Sequence, residues 1–237
     1  MGPTVDEIMH QLEMLGSEQT KKVLMRHGAC EPFFGVKIEE LKKIQKKIKK
    51  DYQLAKDLYA TGNSDAMYLA GLIADDQKMT KKDLQLWVKN AYWYMISCCT
   101  VAWVAAESRF GWELATEWIE SNKEQIAAAG WSTFSSLVGF LPDEQLDLEK
   151  LEDLIQRVEN TIHDQPNRVR YTMNGFIIAV GGGVAALTKR AKQAGTKIGK
   201  VEVDMGGTSC KVPEVVPYLE KMEKMKKIGN KRKTTKC

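Results

Sequence analysis

Apolar residues recur at intervals of three or four along most of this chain, which is the spacing of one face of an α-helix. The stretch "KIEELKKIQKKIKK" shows the pattern most clearly, because most of its other positions are lysine or glutamate. Its apolar positions are Ile38, Leu41, Ile44 and Ile48. This arrangement predicts an amphipathic helix that buries one face and presents a largely cationic surface to solvent.

Helix-start signals divide the pattern into separate helices. Ser64 precedes the apolar run "MYLAGLI" and is expected to cap a helix, because a serine hydroxyl can accept a hydrogen bond from a free backbone N–H. Thr80 is followed three residues later by Asp83, which is the spacing of a capping box. Short polar breaks separate the other helices, and one of them, "HDQPN", is expected to start a helix.

The chain is therefore expected to be all-α. The one run with strand-like alternation is "KVEVDM", residues 200–205, and it is short and lies between glycines. Short loops between amphipathic helices make successive helices pack as antiparallel pairs, and pairs stacked in a row form an α-α superhelix, or solenoid. A compact irregular bundle is the alternative.

The composition is typical of a globular protein. The chain has 237 residues, 43% of them hydrophobic, which is enough to bury a sizeable core. Its most apolar stretch, residues 92–106, is about 15 residues long, whereas a membrane-spanning helix needs roughly 20. The first residues lack the basic and apolar regions of a leader. We therefore expect neither a membrane segment nor a secretory signal.

The cysteines and histidines indicate no metal centre. Five cysteines, an odd number without a CxxC pair, favour a reducing, cytoplasmic location. Cys98 and Cys99 are expected to be small residues in a packed helix. Three histidines lie far apart in the chain, and we expect no cofactor. The triple glycine at 181–183 has neither a preceding strand nor a following GKS or GKT, so it predicts a helix break or close packing rather than a phosphate loop.

The net charge of +4 is distributed unevenly. Residues 221–237 hold eight Lys or Arg and one Glu, which leaves 27 basic and 30 acidic side chains in residues 1–220. A polyanion would therefore have to contact a local patch or the tail. Because the tail has few apolar residues, we expect a solvated end, with Lys231, Arg232 and Lys233 as candidates for contact with nucleic acid.

Three segments carry a resemblance to a known family. They are "EPFFGVKIEELKKI" at 31–44, "DAMYLAGLIADD" at 65–76 and "LQLWVKNAYWYMISCCTV" at 84–101. Together they resemble the HEAT-like-repeat DNA alkylation repair proteins, the AlkD-like alkylpurine DNA glycosylases. The resemblance implies HEAT-like helix pairs over residues 1–195, with residues 196–220 as an extension packed on them and 221–237 as a basic tail.

The resemblance also implies a concave DNA-binding surface. In that family a carboxylate stabilises the positive charge that develops on the sugar as an alkylated purine leaves, and such an anion is chemically necessary. Aligning Tyr92 and Trp93 with the family's tandem tryptophans places Tyr94 at its first aspartate and Ser97 at its second, catalytic one. No Asp or Glu lies between Asp83 and Glu107. The catalytic acid is therefore expected to be missing.

Other positions of the family's site can be matched as well. Its catalytic arginine falls at Ala127 or Ala128, with Trp131 close behind, whereas "NRVRYTMNGFIIAV" supplies Arg168 and Arg170. These two arginines are two residues apart, so only one of them is expected to face DNA. The rings of Tyr92 and Trp93 either pack in the core or face the groove. Ser97 is either a buried helix serine or part of a remodelled site.

Three functions are compatible with these observations. The preferred hypothesis is a DNA-binding repair protein that lacks the glycosylase chemistry. Its predicted nucleic-acid-binding residues are Tyr92, Trp93, Trp131, Arg168, Arg170, Lys231, Arg232 and Lys233. The first alternative is an active glycosylase with a relocated carboxylate, for which the candidates are Glu107, Asp75 and Asp76. The second is a solenoid that binds proteins and has no role with nucleic acid.

Overall fold

The computed structural model describes residues 2–236. Within this range the chain is helical and contains no β-strand, which confirms the all-α prediction. The α-helices are α1 Val5–Leu15, α2 Glu18–Arg26, α3 Ile38–Ile48, α4 Tyr52–Ala60, α5 Ser64–Ile73, α6 Lys81–Asn90, α7 Ala102–Glu107, α8 Gly111–Trp118, α9 Glu124–Phe140, α10 Leu148–Thr161, α11 Asn167–Gly183, α12 Thr188–Ile198 and α13 Val215–Lys224. A π-helix, Met95–Val101, leads directly into α7.

The helices form two layers. Helices α3, α5, the π-helix with α7, α9, α11 and α13 each pack against the next and make the inner layer, whereas α4, α6, α8, α10 and α12 pack on its outside. Helices α9 and α11 run in the same direction, because their N-terminal ends meet where Arg168 N–H contacts Glu124 and their C-terminal ends meet where Gly183 approaches Val138. Apolar side chains fill the space between the layers along the whole solenoid.

The capping signals in the sequence are largely confirmed. Thr80 and Asp83 form the expected capping box at the start of α6. Burial, the largest influence on Asp83, would raise its pKa, but hydrogen bonds from Thr80, Lys56 and Tyr52 lower that pKa to about 2. Ser64 is not the cap of α5. Asn63 has this role, since its side chain accepts the N–H groups of Asp65 and Ala66.

The "EPFFGV" loop is attached to α5 by one buried carboxylate. Asp65 accepts the backbone N–H groups of Phe34, Gly35 and Val36 at 2.6, 2.9 and 3.2 Å. Burial raises the pKa of Asp65, although these three donors favour its charged form. Gly35 has φ +78°, a conformation that suits glycine, which explains why this residue type occupies the middle of the three anchoring positions.

The triple glycine ends α11 and allows close packing, as expected. A Cβ at Gly181 would lie 2.6 Å from Leu219 of α13, and one at Gly183 would lie 2.8 Å from the carbonyl oxygen of Val138. Real Cβ atoms essentially never approach other atoms so closely. The glycines therefore let α9 and α13 pack directly on the end of α11.

The "KVEVDM" run does not form a strand. Residues 199–214 lack regular structure and are held by side chains instead. Asn167, at the start of α11, donates to the carbonyl of Asp204 and accepts its N–H, at 2.9 and 2.7 Å. The same segment reaches α2, because a Cβ on Gly206 would lie 3.2 Å from the carbonyl oxygen of Arg26. Pairing with a second strand is absent from the described part of the chain, so the alternation alone produces no sheet.

The basic tail is not a solvated end. Residues 221–224 belong to α13, and residues 229–236, here called the C-terminal strap, cross the C-terminal ends of the inner helices. Gly229 N–H binds the carbonyl of Gly182 in α11, and Arg232 N–H binds that of Gly139 in α9, both at 2.8 Å. Thr235 is buried and its hydroxyl donates to the carbonyl of Trp103 in α7.

Two lysines of the strap contact the same edge of the solenoid. Lys231 donates to the carbonyl of Val138, and Lys236 donates to that of Ala74 and forms an ion pair with Asp76 at 2.8 Å. The last carbonyls of a helix carry partial negative charge, which cations stabilise. The expectation of a solvated end was therefore wrong, because Lys231 and Lys236 bind the ends of helices that are distant in the sequence.

Among the described residues no single helix is long and apolar enough to cross a membrane. One pair, Asn167–Gly183 with Ala185–Ile198, meets the requirements of length and composition only when combined across a bend of 115°.

Candidate nucleic-acid interface

The segment expected to hold the catalytic acid is a π-helix. The carbonyl of Trp93 accepts N–H groups from both Ile96 and Ser97. The wider π-helical turns of Met95–Val101 begin at this point. Gly71 on α5 makes room for the segment, since a Cβ there would lie 2.6 Å from Thr100 Cγ2. π-Helical turns are rare and occur frequently at functional sites.

Ser97 does not face an open site. Its side chain is fully buried, and its hydroxyl donates to Gln125 Oε1 at 3.2 Å. Of the two hypotheses for this residue, the buried helix serine is therefore correct. Its partner is a side-chain amide on α9.

Three of the predicted DNA-binding aromatic residues belong mainly to the core. Trp93 is 4% exposed and its indole N–H donates to Ser64 Oγ at 2.7 Å. Trp131 is 1% exposed and packs against Phe134 and Phe176. Tyr92 is half-buried and its hydroxyl donates to the carbonyl of Gly62 at 3.1 Å. The prediction that Trp93 and Trp131 contact nucleic acid was wrong, since neither ring is accessible.

An open cavity of about 490 Å³ lies on the inner layer, beside the π-helix. The π-helix region, α9, α11, α13 and the strap form its walls, and we call it the trough. The residues that give it chemical character are Tyr94, Cys98, Ser132, Arg168, Tyr171 and Arg232. Of the positions matched to the family's acids, the trough thus includes Tyr94 but not the buried Ser97.

Arg168 is held between two aromatic rings at one end of the trough. Its guanidinium carbon lies 4.1 Å from the centre of the Tyr94 ring and 5.1 Å from that of Tyr171. Tyr171 follows Arg168 by three residues on α11, so both side chains project from the same face. Cation–π contacts fix the guanidinium without neutralising its charge. Arg168 is therefore a preorganised cation at the surface of the trough.

The surroundings of Arg168 keep that charge available. In the described part of the chain its guanidinium forms no ion pair; the nearby Glu124 accepts its backbone N–H instead, at 2.5 Å. Burial raises the pKa of both Tyr94 and Tyr171, although Arg168 acts in the opposite direction. The two phenols therefore stay neutral at physiological pH and do not repel an anion.

Arg170 lies apart from the trough, as the two-residue spacing predicted. It is half-buried, and its positive charge contributes to lowering the pKa of Glu202 in the irregular segment, after the larger effect of Lys200. The two predicted arginines, Arg168 and Arg170, therefore lie in different surroundings. Only Arg168 lines the trough.

The strap contributes one cation to the trough. Lys231 is engaged with Asp143 at 2.8 Å, whereas Arg232 and Lys233 are exposed. Of these three residues, only Arg232 lines the trough. Of the three tail residues predicted to contact nucleic acid, the docked strap thus brings Arg232 to the trough, and the contact itself stays a prediction.

None of the candidates for a relocated carboxylate lines the trough. Glu107 accepts hydrogen bonds from Thr234 and Thr235 of the strap; burial would raise its pKa, but these bonds lower it. Asp76 is 1% exposed and is paired with Lys50 and Lys236. Asp75 is paired with Lys78. All three carboxylates therefore have structural partners: Glu107 and Asp76 bind the strap, and Asp75 binds Lys78.

Tyr94 and Tyr171 were not among the predicted site residues. Tyr94 was recognised only as the residue in place of the family's first aspartate. Tyr171 could have been found, because an aromatic residue three positions after Arg168 shares its helix face. Trp93 is buried while its neighbour Tyr94 is only half-buried, and this difference depends on tertiary packing that has no signal in the sequence.

Comparison with known proteins assigns the chain to a family. The model of the DNA alkylation repair enzymes matches residues 8–191. This chain belongs to that family. Two uncharacterised proteins, from Listeria innocua and Listeria monocytogenes, are each 33% identical over 224 residues, which is 92% of this chain and 96% of theirs. A DNA-related function follows from membership of the DNA alkylation repair family.

A solved structure has the same fold throughout. It superposes with a TM-score of 0.92 at 37% identity, covering 99% of this chain and 100% of that one. It is described as representing a new family of proteins related to the HEAT-like repeat DNA glycosylases with affinity for branched DNA structures. The α-α superhelix and the resemblance inferred from the sequence are both confirmed.

Proposed function

We propose that this protein binds branched DNA on the inner-layer face that contains the trough, and that it does not release alkylated bases. The observation that carries the proposal is the charge of the trough. Arg168 and Arg232 line it without an ionic partner in the described part of the chain, and none of its described lining residues is Asp or Glu. Cationic surfaces attract phosphates, whereas the glycosylase reaction needs an anion.

The relative with affinity for branched DNA supports the choice of ligand. Its fold matches this chain from end to end, so the irregular segment and the strap have counterparts within the aligned length. These two elements border the inner layer at opposite ends of its helices. A face bordered on both sides is suited to a substrate with more than one arm, since the arms can leave the face in different directions.

The absence of an acid from the described trough lining supports the second part of the proposal. Loss of a preorganised electrostatic partner typically costs a hundred- to a thousandfold in rate. Of the residues proposed for the alternative, an active glycosylase with a relocated carboxylate, Glu107 and Asp76 bind the strap and Asp75 pairs with Lys78. This alternative therefore has no carboxylate at the expected place. We infer that the scaffold retains DNA binding without base excision.

The test measures binding to a four-way junction and to a duplex of the same length, by fluorescence anisotropy. We expect tighter binding to the junction. If about six phosphates are contacted, affinity should fall about a thousandfold between 50 and 200 mM salt. In the same samples, release of N7-methylguanine should stay within about tenfold of the spontaneous rate.

Equal affinity for both DNAs would contradict the preference for branches. If DNA affinity does not depend on salt concentration, or if no DNA is bound at low salt, a solenoid that binds proteins becomes the better explanation of the fold. Rapid release of methylated purine would overturn the non-catalytic part of the proposal.

A further inference from the structure

The dimensions of the trough limit what can enter it. Its volume of about 490 Å³ lies within the roughly 300–1,000 Å³ of small-molecule sites. Such a space can take the bases of a single strand but not both strands of a duplex. Paired arms of a DNA substrate must therefore remain outside, on the rim.

The floor of the trough is made of small side chains. Helix α9 contributes Ser132, Ser135 and Gly139, at helical spacing, and α11 contributes Gly175 and Ala179 opposite them. A Cβ placed on Gly139 or Gly175 would meet no atom within 4 Å, so these glycines do not serve close packing of helices. They leave open space above the floor instead.

The two unpaired arginines lie at opposite ends of this floor. Arg168 is in the first turn of α11, and Arg232 binds through its backbone to Gly139, beside the C-terminal end of α11 at Gly183. Fifteen residues separate Arg168 from Gly183, which corresponds to about 22 Å along the helix axis. The backbones that carry the two arginines are thus separated by more than the size of one phosphate, which suits a chain of several nucleotides.

The walls carry aromatic surface beside the cation. Tyr94 and Tyr171 flank Arg168, and Tyr218 of α13 lines the trough further along. Base stacking on aromatic side chains is tolerant of sequence, because every base has a flat face. Surfaces that bind single-stranded nucleic acid commonly combine such rings with cations placed along the sugar-phosphate backbone of the strand.

We propose that the trough binds a short single-stranded segment of DNA, with phosphates at Arg168 and Arg232 and bases against Tyr94 and Tyr171. This inference rests on the proposed function and makes it more specific, because it assigns the preference for branches to unpaired nucleotides rather than to the angle between duplex arms.

The test compares two junctions that differ in one arm, which is either an unpaired oligothymidine or fully paired. The key variant is Gly175→Leu, which fills the trough and removes no charge. Leucine also favours a helix more than glycine does, so folding should be preserved. Ala186→Leu is the matched control, since Ala186 is exposed and does not line the trough. Circular dichroism and thermal melting verify both variants.

We expect the unmodified protein to bind the junction with the unpaired arm about tenfold more tightly than the paired one, in line with one stacked base. Gly175→Leu should abolish this difference, whereas Ala186→Leu should keep it at the size seen in the unmodified protein. Tyr171→Ala should reduce the difference without filling the trough.

Two results would overturn the inference while leaving the proposed function intact. One is equal binding of the two junctions, both more tightly than a duplex. The other is a preference for the unpaired arm that survives in Gly175→Leu. If the unmodified protein binds neither junction, the proposed function itself fails, and the inference fails with it.

Discussion

The two halves of the inner layer are built on the same plan but use their polar groups differently. In the N-terminal half, every residue of α5 is buried, and its Asp65 is saturated by backbone N–H groups. In the C-terminal half, α11 exposes Arg168, Tyr171 and Gly175 to the trough. At the N-terminal end of the solenoid a buried acid, Asp65, stabilises the fold through its hydrogen bonds. At the C-terminal end the cation Arg168 has no ionic partner in the described part of the chain and is free to bind a ligand.

This difference has a simple energetic basis. A buried polar group must find a partner inside the protein, because leaving it unpaired costs about 1–3 kcal/mol. The carboxylate of Asp65 supplies the acceptors for three backbone N–H groups of the "EPFFGV" loop. Arg168 is only partly buried and stacks on two rings, so solvent or a phosphate can provide its hydrogen bonds. Substitutions at the two sites should therefore have effects of different kinds.

The largest expected effect is on stability, from Asp65→Ala. The substitution leaves three N–H groups of the loop without their acceptor, so we expect the free energy of unfolding to fall by about 3–4 kcal/mol. Chemical denaturation measures it. Asp65→Asn is the matched control and should cost less, since its amide oxygen can still accept and it avoids burying a charge. A loss below about 1 kcal/mol for Asp65→Ala would show that the loop finds other acceptors.

The second effect concerns the strap and reverses the expectation from the sequence. Deleting residues 229–237 uncovers helix-end carbonyls, removes the strap donors to Glu107 and removes one of the two lysine partners of Asp76. We expect a loss of about 3 kcal/mol, or roughly 6–12 °C in melting temperature for a domain of this size. Lys233→Ala is the control, because this exposed lysine should leave the melting temperature unchanged. An unchanged melting temperature after the deletion would restore the picture of a solvated tail.

The third effect is on binding and not on folding. Arg168→Ala removes the stacked cation of the trough and should weaken binding of branched DNA about tenfold, which corresponds to about 1.4 kcal/mol. Arg170→Ala is the control from the same helix, since Arg170 does not line the trough. Anisotropy titrations at constant salt measure both. Equal losses for the two variants would mean that only overall charge matters.

The fold was predictable from the sequence because its signals are local. The periodicity of Ile38 to Ile48 and the capping box of Thr80 and Asp83 each depend on residues within a few positions. The boundary at Ser64 was wrong by one position, since Asn63 competes for the same role. Such competition between neighbouring polar residues is decided by backbone geometry, which the sequence alone does not reveal.

The site was predictable only in part, because it depends on contacts between distant segments. Arg168 was identified from the family resemblance, and its separation from Arg170 followed from helix geometry. The docking of the strap was missed, because the acceptors for Lys231 and Lys236 are carbonyls at helix ends that carry no sequence signal. Tyr94, and not Trp93, lines the trough, because the chain entering the π-helix is oriented so that the Trp93 indole binds Ser64 in the core.

The smallest expected effect, no gain in base release, concerns Ser97→Asp. Restoring an acid at the family's catalytic position should leave release of N7-methylguanine at the level of the unmodified protein, because this side chain is buried against Gln125 and does not line the trough. Burial would also favour the protonated acid, which cannot stabilise positive charge on a sugar. Ser97→Asn is the uncharged control of similar size, and mass spectrometry of the released base measures both variants. Release that rises in Ser97→Asp but not in Ser97→Asn would show that the π-helix can turn this position towards DNA, and that only the charge had been lost from an otherwise catalytic groove.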